Sequence, residues 1–139
     1  MEFGLNFFPS CAPHEKSAAD YWADTLHLCG LMDELGYTHV RTVEHYFHAY
    51  GGYSPNPVVF LAAAAQRSRK ARMITGAVLP VFNNPLKVAG ELGMLDGISN
   101  GRGVTQGDER RQRLVAPDVR TATKSELDGM GRFRRVALG

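Results

Sequence analysis

Apolar and polar positions along the chain alternate between short and long blocks. Phe3 to Phe8 is a short run rich in Phe, closed by Pro9 and Ser10, and it predicts a buried strand. Ser17 is then placed to cap a helix running to about Leu35. In that helix Leu28, Leu31, Met32 and Leu35 recur at helical spacing, a single stripe expected to face a core. Gly36 stands where the helix should end, because glycine takes the left-handed conformation without a side-chain clash. Thr38 to Val43 alternates and is rich in β-branched residues, which predicts a second strand.

Glu44 to Pro57 carries His, Tyr, Gly-Gly and two Pro, a loop long enough to be functional. Pro57 fits the first turn of a helix passing through Ala62–Ala65 to about Arg69. Ala71 to Val81 is expected to hold a third strand. Pro85 opens a third helix, with Leu86, Val88, Leu92, Met94, Leu95 and Ile98 as its expected buried face and Asn100-Gly101 as its end. The order β-α-β-α-β-α implies parallel neighbours and right-handed crossovers. Such folds place their chemistry at the C-terminal ends of the strands, here Phe7–Cys11, Val43–His48 and Gly76–Asn84.

Composition narrows the class. At 139 residues, 44% hydrophobic and 22% charged, the chain is not intrinsically disordered. The longest apolar run, Val58 to Ala65, is far too short to span a membrane, and no leader-like segment opens the chain. Two cysteines make no disulfide framework, which points to a reducing cytoplasm. Charge is uneven: residues 1–100 hold seven Lys/Arg against nine Asp/Glu, and residues 101–139 nine against five. The basic tail lacks interleaved aromatics, so nucleic-acid binding is not expected.

Glu44-His45-Tyr46-Phe47-His48 is the densest polar cluster. Histidine exchanges protons near neutral pH, and a neighbouring carboxylate can fix its tautomer. The competing possibilities are solvated or structurally bonded histidines, or a metal site from Glu44, His45, His48 and His39, whose spacing matches no zinc pattern. Thr75-Gly76 interrupts the third strand. Either a bend packs against neighbouring side chains there, or a flat backbone surface receives a planar cofactor. A P-loop and a dinucleotide fingerprint are both absent.

Taken together, four segments resemble the bacterial luciferase-like monooxygenases, a flavin-dependent family. They are Phe3-Gly4-Leu5-Asn6-Phe7-Phe8, Val43-Glu44-His45-Tyr46-Phe47, Ile74-Thr75-Gly76-Ala77-Val78-Leu79-Pro80 and the helix from Pro85 to Leu95-Asp96-Gly97-Ile98-Ser99-Asn100-Gly101-Arg102. The resemblance covers residues 2–102 and implies the N-terminal portion of a β/α barrel, about three βα units. It implies reduced FMN as cofactor, with a deazaflavin as the alternative, and molecular oxygen and a small organic molecule as substrates. A flavin reductase would be the electron source. His45 matches the family's catalytic histidine. Asn6 and Phe7 would line the cofactor pocket, Glu44 would support the end of strand two, and Thr75 and Gly76 would match the strand-three bulge, which in relatives holds a non-prolyl cis peptide. Helices two and three would pair subunits.

After Arg102 the resemblance stops. Gly103 to Arg111 is not expected to form the family's fourth strand, which would leave strand three as an exposed edge. Residues 103–139 are read as an irregular basic tail outside the family, arising from a change of reading frame near Gly101–Gly103 or from a naturally shortened member. A complete barrel needs ~250 residues, so catalysis by the chain alone is expected to be weak or absent. The rival reading is a non-catalytic fragment, or a module that completes its sheet with another chain.

Overall fold

The computed structural model describes residues 1–105 apart from 48, 49, 51, 80 and 81. Seven elements follow in order: β1 (Gly4–Phe7), α1 (Ala18–Leu35), β2 (His39–Thr42), α2 (Pro57–Ala64), β3 (Arg72–Thr75), α3 (Pro85–Ser99) and β4 (Gly103–Thr105). The strands form one parallel sheet in the order β1-β2-β3-β4. Its central row aligns Asn6, Arg41, Ile74 and Val104.

Each helix begins on a side chain that completes its open backbone donors. The Ser17 Oγ accepts from the Asp20 N–H at 3.1 Å. α2 and α3 share one device, an Asn followed by Pro. Asn56 Oδ1 accepts from Val58 and Val59, and Asn84 Oδ1 from Leu86 and Lys87, while each proline sits where a missing N–H costs nothing. Gly36 ends α1 at φ 77°, and Asn100 ends α3 at φ 58°.

All three helices lie against one face of the sheet. Val40, Thr42, Met73 and Thr75 are buried there, with Leu5 and Phe7 packed beside them. Met32, Leu61 and Leu95 come from α1, α2 and α3 in turn, each contributing roughly 1.5–3 kcal/mol by leaving water. The rings of Phe7 and Trp22 close on Phe60 at 5.6 and 4.9 Å between centroids. No helix among the described residues is long and apolar enough to cross a membrane.

Four expectations need correction. The buried face of α1 is Thr25, Cys29 and Met32, so of the expected stripe Met32 reaches the core and Leu31 is half-buried, while Leu28 and Leu35 stand exposed. On α3 the core takes Leu95 and Ser99, leaving Leu86, Met94 and Ile98 at the surface. β3 ends at Thr75, because beyond Gly76 the chain is drawn off the sheet when Glu44 takes the Leu79 N–H. Gly103–Thr105 does form a strand, β4, parallel to β3, so β3 is not an edge. Three residues are too few for apolar alternation to announce a strand. Its first position is tight against α3, since a Cβ on Gly103 would sit 3.2 Å from the Asp96 backbone.

The segment between α2 and β3 is held from two sides. From α1, Asp33 accepts from the Ser68 hydroxyl at 2.6 Å and from the Arg69 and Lys70 N–H groups. Burial pulls its carboxyl pKa up, but these donors outweigh that effect and lower it. From beyond α3, Arg102 donates to the carbonyls of Ala71 at 2.6 Å, Ala65 at 2.9 Å and Ser99 at 2.7 Å. The Ser-Asn-Gly-Arg motif is therefore a structural clamp.

Candidate functional site

Period-two alternation divides the residues at the C-terminal ends of the strands between two faces. The face away from the helices carries Gly4 and Asn6 of β1, His39 and Arg41 of β2, and Arg72 and Ile74 of β3. Beyond the strand ends the side chains still diverge, and Glu44 and His45 go separate ways.

His45 turns toward the loop after β1. Its ring meets Phe8 edge-on at 5.1 Å, and Phe8 packs on Tyr50 at 4.5 Å, where Ser10 and Tyr50 form a bridge. The His45 N–H donates to the Ser54 carbonyl at 2.9 Å, and its Nδ1 lies 3.1 Å from the Tyr50 carbonyl. A carbonyl oxygen can only accept, so Nδ1 carries the proton and the lone pair of the neutral ring is on Nε2. The tautomer is set by this backbone oxygen, not by Glu44.

Glu44 is 5% exposed and turns the other way. One carboxylate oxygen accepts from the Tyr46 hydroxyl at 2.5 Å and from Asn83 Nδ2 at 2.9 Å, and the other from the Leu79 N–H. The bond to Glu44 also raises the Tyr46 phenol above its ordinary pKa. Glu44 thus ties the loop after β3 to the end of β2. It lines a cavity of 190 Å³ together with Tyr46, Asn56, Asn83, Lys87 and Glu91, between the starts of α2 and α3. His45 is not among the lining residues.

At the end of β3 the Gly76 N–H donates to the Thr42 carbonyl at 2.8 Å, and the Gly76–Ala77 peptide is cis. Arg41 Nη2 donates to the Gly76 carbonyl at 3.1 Å. A Cβ on Gly76 would come within 2.2 Å of Arg41 Nε. The glycine leaves room for the Arg41 guanidinium, so the bend at Thr75-Gly76 packs against a neighbouring side chain on this side.

Of the residues singled out from sequence, Asn6, His45 and Gly76 belong to the face away from the helices. Phe7, Glu44 and Thr75 belong to the helix side, so Asn6 and Phe7 do not line one surface together. His48 lies outside the described residues. Among the described residues no cluster of three or more His, Cys, Asp or Glu side chains could hold a metal ion. The roles of Arg41 and Arg102 are not legible in the sequence, since the Gly76, Ala71 and Ala65 carbonyls they meet lie more than thirty residues away. The β-branched alternation of β2 does put Arg41 on the same face as His39, and that signal was available.

Parallel β/α units with a histidine and a glycine bend at the C-terminal rim define a barrel-type enzyme scaffold. Residues 1–105 match the family model described as luciferase-like monooxygenase, and the chain belongs to that family. It is 31% identical over 140 aligned residues to 4-hydroxyprotoasukamycin monooxygenase of Streptomyces nodosus subsp. asukaensis, covering 96% of this chain and 37% of that protein. The structure is similar to that of monooxygenase RslO1 from Streptomyces bottropensis, with a TM-score of 0.74 and 54% identity over 84% of this chain and 36% of that one. It is also similar to the oxygenating constituent of 3,6-diketocamphane monooxygenase from Pseudomonas putida, a type II Baeyer-Villiger monooxygenase solved with FMN. There the TM-score is 0.69 with 25% identity, over 83% of this chain and 32% of that one. The chain spans about a third of the length of the relatives it matches.

Proposed function

We propose that this chain forms the first βα units of a flavin-dependent monooxygenase that oxidises a small organic molecule with molecular oxygen, His45 being its proton-handling residue. The observation that carries the reading is the imidazole at the strand ends, its Nδ1 committed to the Tyr50 carbonyl and its Nε2 left to exchange a proton. Bound reduced flavin would supply the two electrons that activate oxygen. Asn6, Arg41 and Gly76 form the adjoining surface, which fits one edge of a planar, hydrogen-bonding ring. Phe7, Thr75 and Glu44 hold that surface from behind. FMN is favoured over a deazaflavin because a solved relative of 25% identity contains FMN. That relative is an oxygenating constituent, which agrees with a separate flavin reductase as electron source. Two free cysteines fit a cytoplasmic setting.

Subunits pair through α2 and α3. Val59, Leu86 and Met94 are 68%, 61% and 61% exposed, and a Cβ added at Gly90, Gly93 or Gly97 would meet nothing within 4 Å. An apolar helix surface with bare glycines lets a second helix approach closely.

The family-model match runs to residue 105, so the boundary expected near 102 is placed a few residues later, with the remaining residues proposed as a separate basic segment. Reading the gene in the next frame beyond codon 102 tests this, and the absence of a strand-and-helix pattern there sinks the frame-change idea. The function is tested by titrating the purified chain with FMN under reducing conditions. Saturable binding that Gly76→Ala weakens and His45→Ala leaves intact supports the reading. Soluble oligomers without binding favour a non-catalytic module.

A further inference from the structure

Arg41 is half-buried in the middle of the sheet face turned away from the helices. Its neighbours in the same row are Asn6 and Ile74, and neither carries a negative charge. The row below holds Gly4, His39 and Arg72, whose nearest acid, Glu2, is already paired with Arg72. The three ion pairs of the described residues all leave Arg41 out. A guanidinium has five N–H donors in a rigid plane. Among the described residues this one has a single acceptor, the Gly76 carbonyl, and its Nε is buried without any. A positive charge taken partly out of water with one neutral acceptor is under-compensated, and a planar oxyanion meeting the fork of a guanidinium is the strongest complement available.

We infer that Arg41 is an anion-recognising residue of this rim, taking a planar group with delocalised negative charge beside the Gly76–Ala77 backbone. The inference deepens the proposed function and rests on that reading for its place in a reaction. The Gly76 carbonyl holds the guanidinium in one plane, and the missing Cβ at Gly76 leaves it the room to lie there. Such a group has two sources: a carboxylate on the substrate, or the anionic ring of a reduced flavin.

The chain is labelled with ¹⁵N-arginine, and the Nε–H signal of Arg41 is assigned by its loss in Arg41→Lys and Arg41→Gln. Its burial makes this proton slow to exchange with water, which separates it from exposed arginines. Benzoate and its uncharged analogue benzamide are titrated in, and in a second arm reduced lumiflavin, which has the ring anion but no phosphate. A saturable shift with benzoate and none with benzamide supports a substrate carboxylate. A shift with reduced but not oxidised lumiflavin supports the cofactor ring. In either case Arg41→Gln should weaken binding by about tenfold or more, with an unchanged circular dichroism spectrum. Equal responses to charged and uncharged probes overturn the inference, as does a wild-type chain that answers none of them. Failure to bind FMN sinks the flavin reading alone, because the benzoate arm needs no flavin.

Discussion

The two ends of the sheet treat their polar backbone in opposite ways. At the N-terminal end, the turn between α2 and β3 has its donors answered by Asp33 and two of its carbonyls answered by Arg102. Ser68 closes the set by accepting from the Ala71 N–H. At the C-terminal end, the loops are joined through Glu44, yet a guanidinium keeps a buried Nε without a partner among the described residues, and the His45 ring is held through Nδ1 at the Tyr50 carbonyl. One end spends its charged groups on its own backbone. The other leaves part of that capacity without a partner among the described residues, on the rim where the proposed chemistry lies. This is how a parallel β/α protein separates stability from chemistry.

If that division is right, the largest stability loss comes from the clamp. Arg102→Ala removes three charge-assisted bonds to carbonyls and should cost about 3 kcal/mol or more in urea unfolding, with Arg102→Lys intermediate. Cys29 gives a second readout: burial pushes its thiol up to about 11, so it should resist thiol reagents until the clamp is broken. A smaller loss follows at Asp33, where Asp33→Asn should cost about 2 kcal/mol at neutral pH. The sign with pH is fixed by the direction of the shift. A carboxyl lowered by folding contributes stability above its unfolded value, ~3.9, and loses it as pH falls through the lower folded value. The gap between wild type and Asp33→Asn should therefore close in acid, and a gap independent of pH would break the account.

Effects at the C-terminal rim should be smaller on stability and larger on local structure. Glu44→Gln sets an amide N–H against the Leu79 N–H, and should cost about 1 kcal/mol while speeding exchange of the Leu79 amide. Smallest is Gly76→Ala, within about 1 kcal/mol, because the flexible Arg41 side chain can swing aside. Its signature is displacement of the Arg41 Nε signal, and a stability loss as large as that at Arg102 would erase the contrast between the two ends.

The ends of the elements were legible in the sequence wherever one residue type does one backbone job. Ser17, Gly36, Pro57, Pro85 and Asn100-Gly101 fall where local chemistry put them. Which face of a helix is buried was less legible. Leu28, Leu35, Leu86 and Met94 are as apolar as their buried neighbours, and only the position of the sheet separates them. β4 escaped notice because a three-residue strand has no period to read. The motif Ser99-Asn100-Gly101-Arg102 was the most specific signal in the chain, and its work is structural. Arg41, placed at the rim, carried no signal beyond its place in an alternating strand.

Glu44 and His45 are consecutive, yet the pleat sends one to brace the helix side and the other to the open rim. A library that randomises this dipeptide as a unit will therefore mix two unrelated effects, a loosened loop from Glu44 and an altered rim from His45. A one-residue deletion in β2 would exchange their places, leaving a carboxylate at the rim and an imidazole buried between two helix starts.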